Sequence, residues 1–206
     1  MRLYLIRHAE SEANVRKVLD TALPGPPLTE LGRQQAKALA DRFSDQRFAA
    51  VYASHAVRAR QTAEPLAMVN AVDVQLVEGV HEVTVGELEG RGDPVAIKTY
   101  LTVAGQWLGG EVGVAMPGGE TGERVRDRFT TAVAELRAKH EPAGPDGAIA
   151  LVSHGGVIRL GAEWLVGDVL PEAAEQVLLP NTGVVVLETT SEGGWTCLRW
   201  LDARSG

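Results

Sequence analysis

Short runs of consecutive apolar residues alternate along the chain with longer stretches in which apolar residues recur every three or four positions. The runs at Leu3–Arg7, Ala49–Ala53, Val72–Val77, Ala148–Ser153 and Gly183–Glu188 read as strands, since a strand covered on both faces loses its polar alternation. Glu30–Phe43 follows Thr29, an N-cap residue type, and sets Leu31, Ala36, Leu39 and Phe43 near one stripe of a helix. Val57–Val69, Gly122–His140 and Gly156–Val166 show the same period. Strands that alternate with helices predict an α/β fold, a three-layer α/β/α sandwich around a mostly parallel central sheet. The stretches 22–27 and 141–147, rich in Pro and Gly, predict loops. Residues 91–120 break the alternation with a short helical pattern at Val95–Leu108 and a return ending in Pro117-Gly118-Gly119-Glu120. That segment reads either as a small helical lid insertion over an active site or as a helical excursion that pads the fold.

Composition narrows the class. At 206 residues the chain suits one domain, taken as 1–206. A net charge of −7 offers no basic face for nucleic acid. Cys197 is the sole cysteine, so no intrachain disulfide can form, and in the strand-like Trp195–Trp200 it reads as a small core residue. No N-terminal signal-like apolar region and no run of ~18 apolar residues is present, which points away from export and membrane spanning. A cytoplasmic location is expected, and the oligomeric state is left open.

Residues suited to phosphate chemistry cluster at strand ends. Arg7-His8 closes the first run, and an imidazole can take up a phosphoryl group while a guanidinium grips its oxygens. Arg58 lies where the second run has ended and a helix begins, Glu82 follows the third run, and His154 follows Ile149–Ser153 before Gly155-Gly156. If the sheet is parallel, all five emerge at the same edge, where ligands of open α/β sheets bind. Arg58 and His154 also fall near helix N-termini, whose free N–H groups attract anions. Each residue alone has a plain structural or solvated reading. Two arginines, two histidines and a carboxylic acid around one cavity make a phosphotransfer site.

Together these segments resemble the histidine phosphatase superfamily, which includes the cofactor-dependent phosphoglycerate mutases. Arg7-His8-Ala9-Glu10-Ser11 with Asn14 is similar to its opening signature, and Pro27–Ala36 to its first helix. Ser54-His55-Ala56-Val57-Arg58 resembles its second arginine motif, Glu82 with Gly86–Gly90 its acid-bearing loop, and Val152–Gly156 its second histidine motif. The resemblance implies a phosphomonoester hydrolase for a small phosphorylated metabolite, with no cofactor and no metal. His8 would become phosphohistidine, and Arg7, Arg58 and His154 would hold the non-bridging oxygens. Glu82 would protonate the leaving alkoxide, and Asn14 would donate to the phosphate. Asn181-Thr182-Gly183 fits a family pattern near the pocket and equally a structural turn.

Three departures stand out, and the last bears on the activity. Ala9 stands where glycine is frequent, and His55 replaces a small polar residue. The mutases carry a basic Glu-Arg-x-Tyr-Gly segment after the acid, whereas this chain offers Glu87 and Glu89. Of the lid candidate, with Ile97, Leu101, Ala104 and Leu108 at helical spacing, only Lys98 is basic. A mutase must retain a bisphosphate, so hydrolysis is favoured over a phosphoglycerate mutase-type transfer. A metal hydrolase using His8, Glu10, His81, Glu82 and His154 lacks an HExxH motif, and Arg7 and Arg58 would repel the cation. A non-catalytic phospho-ligand-binding module is the remaining rival.

Overall fold

In the computed structural model, residues 1–141, 147–167 and 179–201 are described; most of the loop expected at 141–147 lies outside them. The element order is β1 (Arg2–Arg7), α1 (Glu12–Arg16), α2 (Glu30–Arg42), β2 (Ala50–Ala53), α3 (Val57–Val69), β3 (Val74–Leu76), a 3₁₀ turn (Gly86–Leu88), α4 (Pro94–Leu108), α5 (Gly122–His140), β4 (Ala148–Ser153), α6 (Gly155–Val166), β5 (Val184–Thr189) and β6 (Trp195–Leu201). The six strands form one sheet in the order β3-β2-β4-β1-β5-β6. β3, β2, β4 and β1 are parallel, and β5 and β6 add an antiparallel edge. The expected three-layer sandwich with a mostly parallel sheet is therefore present.

The continuous apolar runs resolve into two cores because successive strand side chains point to opposite faces. Leu3, Leu5, Tyr52, Ile149, Leu151, Val185 and Leu187 pack with α4, α5 and α6. Tyr4, Ile6, Val51, Ala53, Ala150, Val152, Val184 and Val186 pack with α2 and α3. The helices after β1 and β4, two adjacent parallel strands, thus cover opposite faces and leave a crevice between the strands' carboxyl ends.

Several boundaries differ from the sequence expectation. β3 is shorter than Val72–Val77 because the Val72 N–H donates to Ala67 O at 3.1 Å, which keeps Val72 in the turn that ends α3. β5 starts at Val184 because Gly183 N donates to Pro180 O at 2.9 Å in a turn with Thr182 at φ 58°. Residues 12–16, outside the expected elements, form α1. Leu31, expected on the buried stripe of α2, is 51% exposed; Gly32, Ala36, Leu39 and Ala40 form that stripe instead. A Cβ at Gly32 would stand 2.0 Å from Glu10 O, so only glycine lets α2 approach the turn after β1. In α4 the stripe is offset by one position from the expected Ile97, Leu101, Ala104 and Leu108: Ala96, Tyr100, Val103 and Trp107 are the buried set.

Candidate active site

Strand register brings the two histidines together. The β1–β4 ladder ends with Arg7 opposite Ser153, and His8 N donates to Ser153 O at 3.0 Å, so the next residues are His8 and His154. Their ring centroids lie 5.3 Å apart at 66°, and both side chains are buried. β2 ends one step earlier on the other side of β4, which delivers Ser54 to His154 and starts α3 with Arg58 in its first turn.

The His8 tautomer follows from its partner. Nδ1 stands 2.7 Å from Ala9 O, a carbonyl that can only accept, so Nδ1 carries the proton and Nε2 keeps its lone pair. Burial, then the Arg58 and Arg7 guanidinium charges, push the His8 imidazole well below its ordinary pKa, so it stays neutral. His154 is displaced the same way, first by burial and then by Arg58. His154 Nε2 lies 2.9 Å from Ser54 Oγ, which already accepts from Ala56 N at 3.4 Å. The Ser54 hydroxyl can either donate to Nε2 or accept from it, and the other ring nitrogen of His154, Nδ1, is a buried atom with no protein partner.

The two arginines are fixed differently. Arg7 Nη1 donates to Leu179 O, while its buried Nε has no protein partner. Arg58 Nη1 and Nη2 donate to Asp20 Oδ1 at 3.1 Å and Asp20 O at 3.0 Å. Asp20, in the loop after α1, has its carboxyl pushed up chiefly by burial, against the pull of Arg58. Glu82 sits on the N-terminus of α6: Oε1 accepts from Val83 N and Val157 N at 2.9 Å, and Oε2 from Gly156 N at 3.0 Å. A carboxylate offers about four lone-pair sites, so one remains for a proton or a ligand. Asn14 Oδ1 accepts from Ser11 N at 3.0 Å and from Asn181 Nδ2 at 3.2 Å, while the same Asn181 amide donates to His8 O at 2.9 Å.

Arg7, His8, Asn14, Arg58 and Glu82 line one cavity of about 290 Å³, and His154 lies buried against His8. Glu10, weighed as a metal ligand, instead accepts from Thr29 Oγ1 at 2.7 Å. Sequence reasoning missed Asp20, whose loop carries no periodic signal, and Tyr100, whose hydroxyl would stand 2.2 Å from a Cβ on Gly156. Ile97, Tyr100 and Leu101 place one side of α4 in the cavity wall, which Val18 and Leu19 also line. Tyr100 is buried, and burial together with the Glu82 charge pushes its phenol up, so it is a permanent donor.

The family model of the histidine phosphatase superfamily (branch 1) matches residues 3–203. The chain belongs to this superfamily. As a member it is a phosphatase-type enzyme, as the motifs implied. Phosphoglycerate mutase-like protein 4 of Arabidopsis thaliana is 30% identical over 97% of the chain and 84% of its own length. The PE-PGRS family protein PE_PGRS11 of Mycobacterium tuberculosis is also 30% identical, over 95% of the chain, which spans 35% of that longer protein. Among solved structures, a mycobacterial glucosyl-3-phosphoglycerate phosphatase in complex with VO3 aligns with a TM-score of 0.82 at 25% identity, covering 98% of this chain and 99% of that one. The α-ribazole phosphatase of Shigella flexneri aligns at 0.76 and 26% identity, covering 98% and 96%.

Proposed function

We propose that the protein hydrolyses small-molecule phosphomonoesters through a phosphohistidine on His8. The observation that carries this reading is the fixed tautomer of a buried, neutral imidazole beside two guanidinium groups, with a carboxyl group lining the same cavity. His8 Nε2 attacks phosphorus, the ester P–O bond breaks, and its electron pair leaves on the alcohol oxygen. Glu82, protonated at its unused lone pair, gives that oxygen its proton. Water then attacks the phosphorus, Glu82 takes its proton, and the P–N bond breaks to return the lone pair to Nε2 as inorganic phosphate leaves. Arg7, Arg58 and His154 hold the non-bridging oxygens through the charge build-up, with the amide N–H of Asn14 as a further donor.

Charge in the cavity favours hydrolysis over mutase chemistry. Among the described residues the cationic ones lining the cavity are Arg7, Lys17 and Arg58, and the Asp20 carboxyl group paired with Arg58 offsets part of that charge. That is enough for one phosphoryl group but poor for retaining a bisphosphate. The alcohol side meets Val18, Leu19, Ile97 and Leu101, so the segment 91–120 acts as the lid over the leaving group. Turnover of p-nitrophenyl phosphate that disappears in His8→Ala is the test. Absence of turnover across a broad panel of phosphomonoesters would contradict the reading and favour a phospho-ligand-binding role.

A further inference from the structure

Outside the cavity, one arginine spends its whole hydrogen-bonding capacity on the loop that carries Glu82. From α5, Arg128 Nη1 donates to Gly79 O at 2.6 Å and His81 O at 2.8 Å, and Nη2 to Glu82 O at 3.1 Å. Its Nε and Nη2 fork onto Glu120 Oε1 at 2.9 Å and Oε2 at 3.0 Å. A guanidinium has five N–H donors, and these five bonds use them all. Glu120 extends the clasp past the acid: its Oε2 accepts from Thr84 N at 2.9 Å, and its N–H donates to Thr84 O at 3.0 Å. The backbone is thereby held at 79, 81, 82 and 84, on both sides of Glu82. Contacts are close on both flanks, since a Cβ at Gly79 would meet Arg128 O at 2.6 Å and one at Gly119 would meet Thr84 O at 2.2 Å.

Burial alone does not explain this investment. Val80, Val83 and Val85 are fully buried and already anchor the loop to the core. Apolar anchors fix where a loop lies but not the rotation of one peptide unit, and that rotation sets the direction in which the Glu82 side chain leaves the backbone. We propose that Arg128, held by Glu120, is a positioning residue that aims Glu82 and so governs the expulsion of poor leaving groups. The proposal rests on Glu82 being the acid. Lysine could supply the charge but not the fork or the five directed donors.

The test is kcat/KM across a series from p-nitrophenyl phosphate to simple alkyl phosphates, in Arg128→Lys, Arg128→Met, Glu120→Gln and Glu82→Gln. General acid catalysis contributes ~10²–10⁴-fold, so a misaimed acid is expected to cost alkyl phosphates ~10-fold or more and p-nitrophenyl phosphate less than about threefold. Vanadate inhibition, which reads the phosphate clamp, stays as in the unaltered enzyme. In Glu82→Gln, adding Arg128→Met costs alkyl phosphates little more, because the two act as one unit. Equal losses across the series, or a vanadate affinity that falls with the rate, would mean that Arg128 only holds the fold and would overturn the proposal. If Arg128→Met does not fold, Glu120→Gln, which keeps an acceptor for Thr84 N, decides by the same two readouts. A flat response in Glu82→Gln itself would instead sink the assignment of the acid, a separate failure.

Discussion

Gly156, in the first turn of α6, is where a single methyl group separates stability from catalysis. An alanine Cβ there would stand 2.2 Å from the Tyr100 hydroxyl, 2.8 Å from Glu82 Oε1 and 3.2 Å from Glu82 Cδ. None of these is backbone; all belong to the outer parts of side chains, so relief comes by displacing them. Overpacking costs ~1–3 kcal/mol, and glycine-to-alanine in a helix returns roughly 0.5–1 kcal/mol, so the fold should lose no more than about 2.5 kcal/mol. Catalysis has no such compensation. The displaced atoms are the carboxylate oxygen bound by Val157 N and the phenol in the cavity wall, and Gly156 N itself holds Glu82 Oε2. A shift of ~1 Å in a catalytic group can cost ~10²-fold, so kcat/KM of Gly156→Ala on an alkyl phosphate should fall by about that factor. Its melting temperature should fall by no more than about 10 °C, because ~1 kcal/mol shifts Tm by roughly 2–4 °C in a chain of this size. Steady-state assays on alkyl and p-nitrophenyl phosphates beside a thermal melt make the comparison. A variant that turns over the alkyl phosphate at the unaltered rate would refute the claim that Glu82 works from this seat.

Arg58→Ala should lower kcat by ~10²–10³ and weaken vanadate inhibition in parallel, since both read the same oxygen clamp. Unchanged vanadate affinity would place Arg58 outside it. Stability should fall as pH drops below about 6.5, because His8, His81, His140 and His154 all have folded pKa values below the ordinary one, so acid protonates the unfolded chain first. Urea unfolding at pH 7.5 and 5.5 measures this, and a slope that is flat or of opposite sign would contradict it. Asp20, whose carboxyl is raised, acts in the opposite sense, in a window that begins in the ordinary carboxylate range. Prolonged chelation should leave the rate on p-nitrophenyl phosphate unchanged, because guanidinium groups supply the charge; loss of activity restored by zinc would overturn the metal-free scheme.

The sequence disclosed the sheet and the site to different depths. Apolar runs such as Leu3–Arg7 and Ala148–Ser153 located the central strands because burial on both faces leaves an unbroken signature. Once those strands were parallel and adjacent, the meeting of His8 and His154 followed from register. What stayed hidden depends on contacts distant in sequence. Asp20 reaches Arg58 across 38 positions, and Arg128 reaches Gly79 across 49. The buried face of α4 lies one residue off the aliphatic stripe because Tyr100 and Trp107 fill the core, while part of that stripe, Ile97 and Leu101, lines the cavity. The tautomer of His8 is set by the neighbouring Ala9 carbonyl, an acceptor that becomes visible only with the backbone in place.

The most direct measurement is rapid acid-free quenching of the enzyme during turnover of a ³²P-labelled phosphomonoester, followed by peptide mapping. An acid-labile, alkali-stable phosphoryl group on His8, formed and consumed at rates that account for kcat, is the expected result. Steady turnover with label on no histidine, or label on a residue other than His8, would contradict the account.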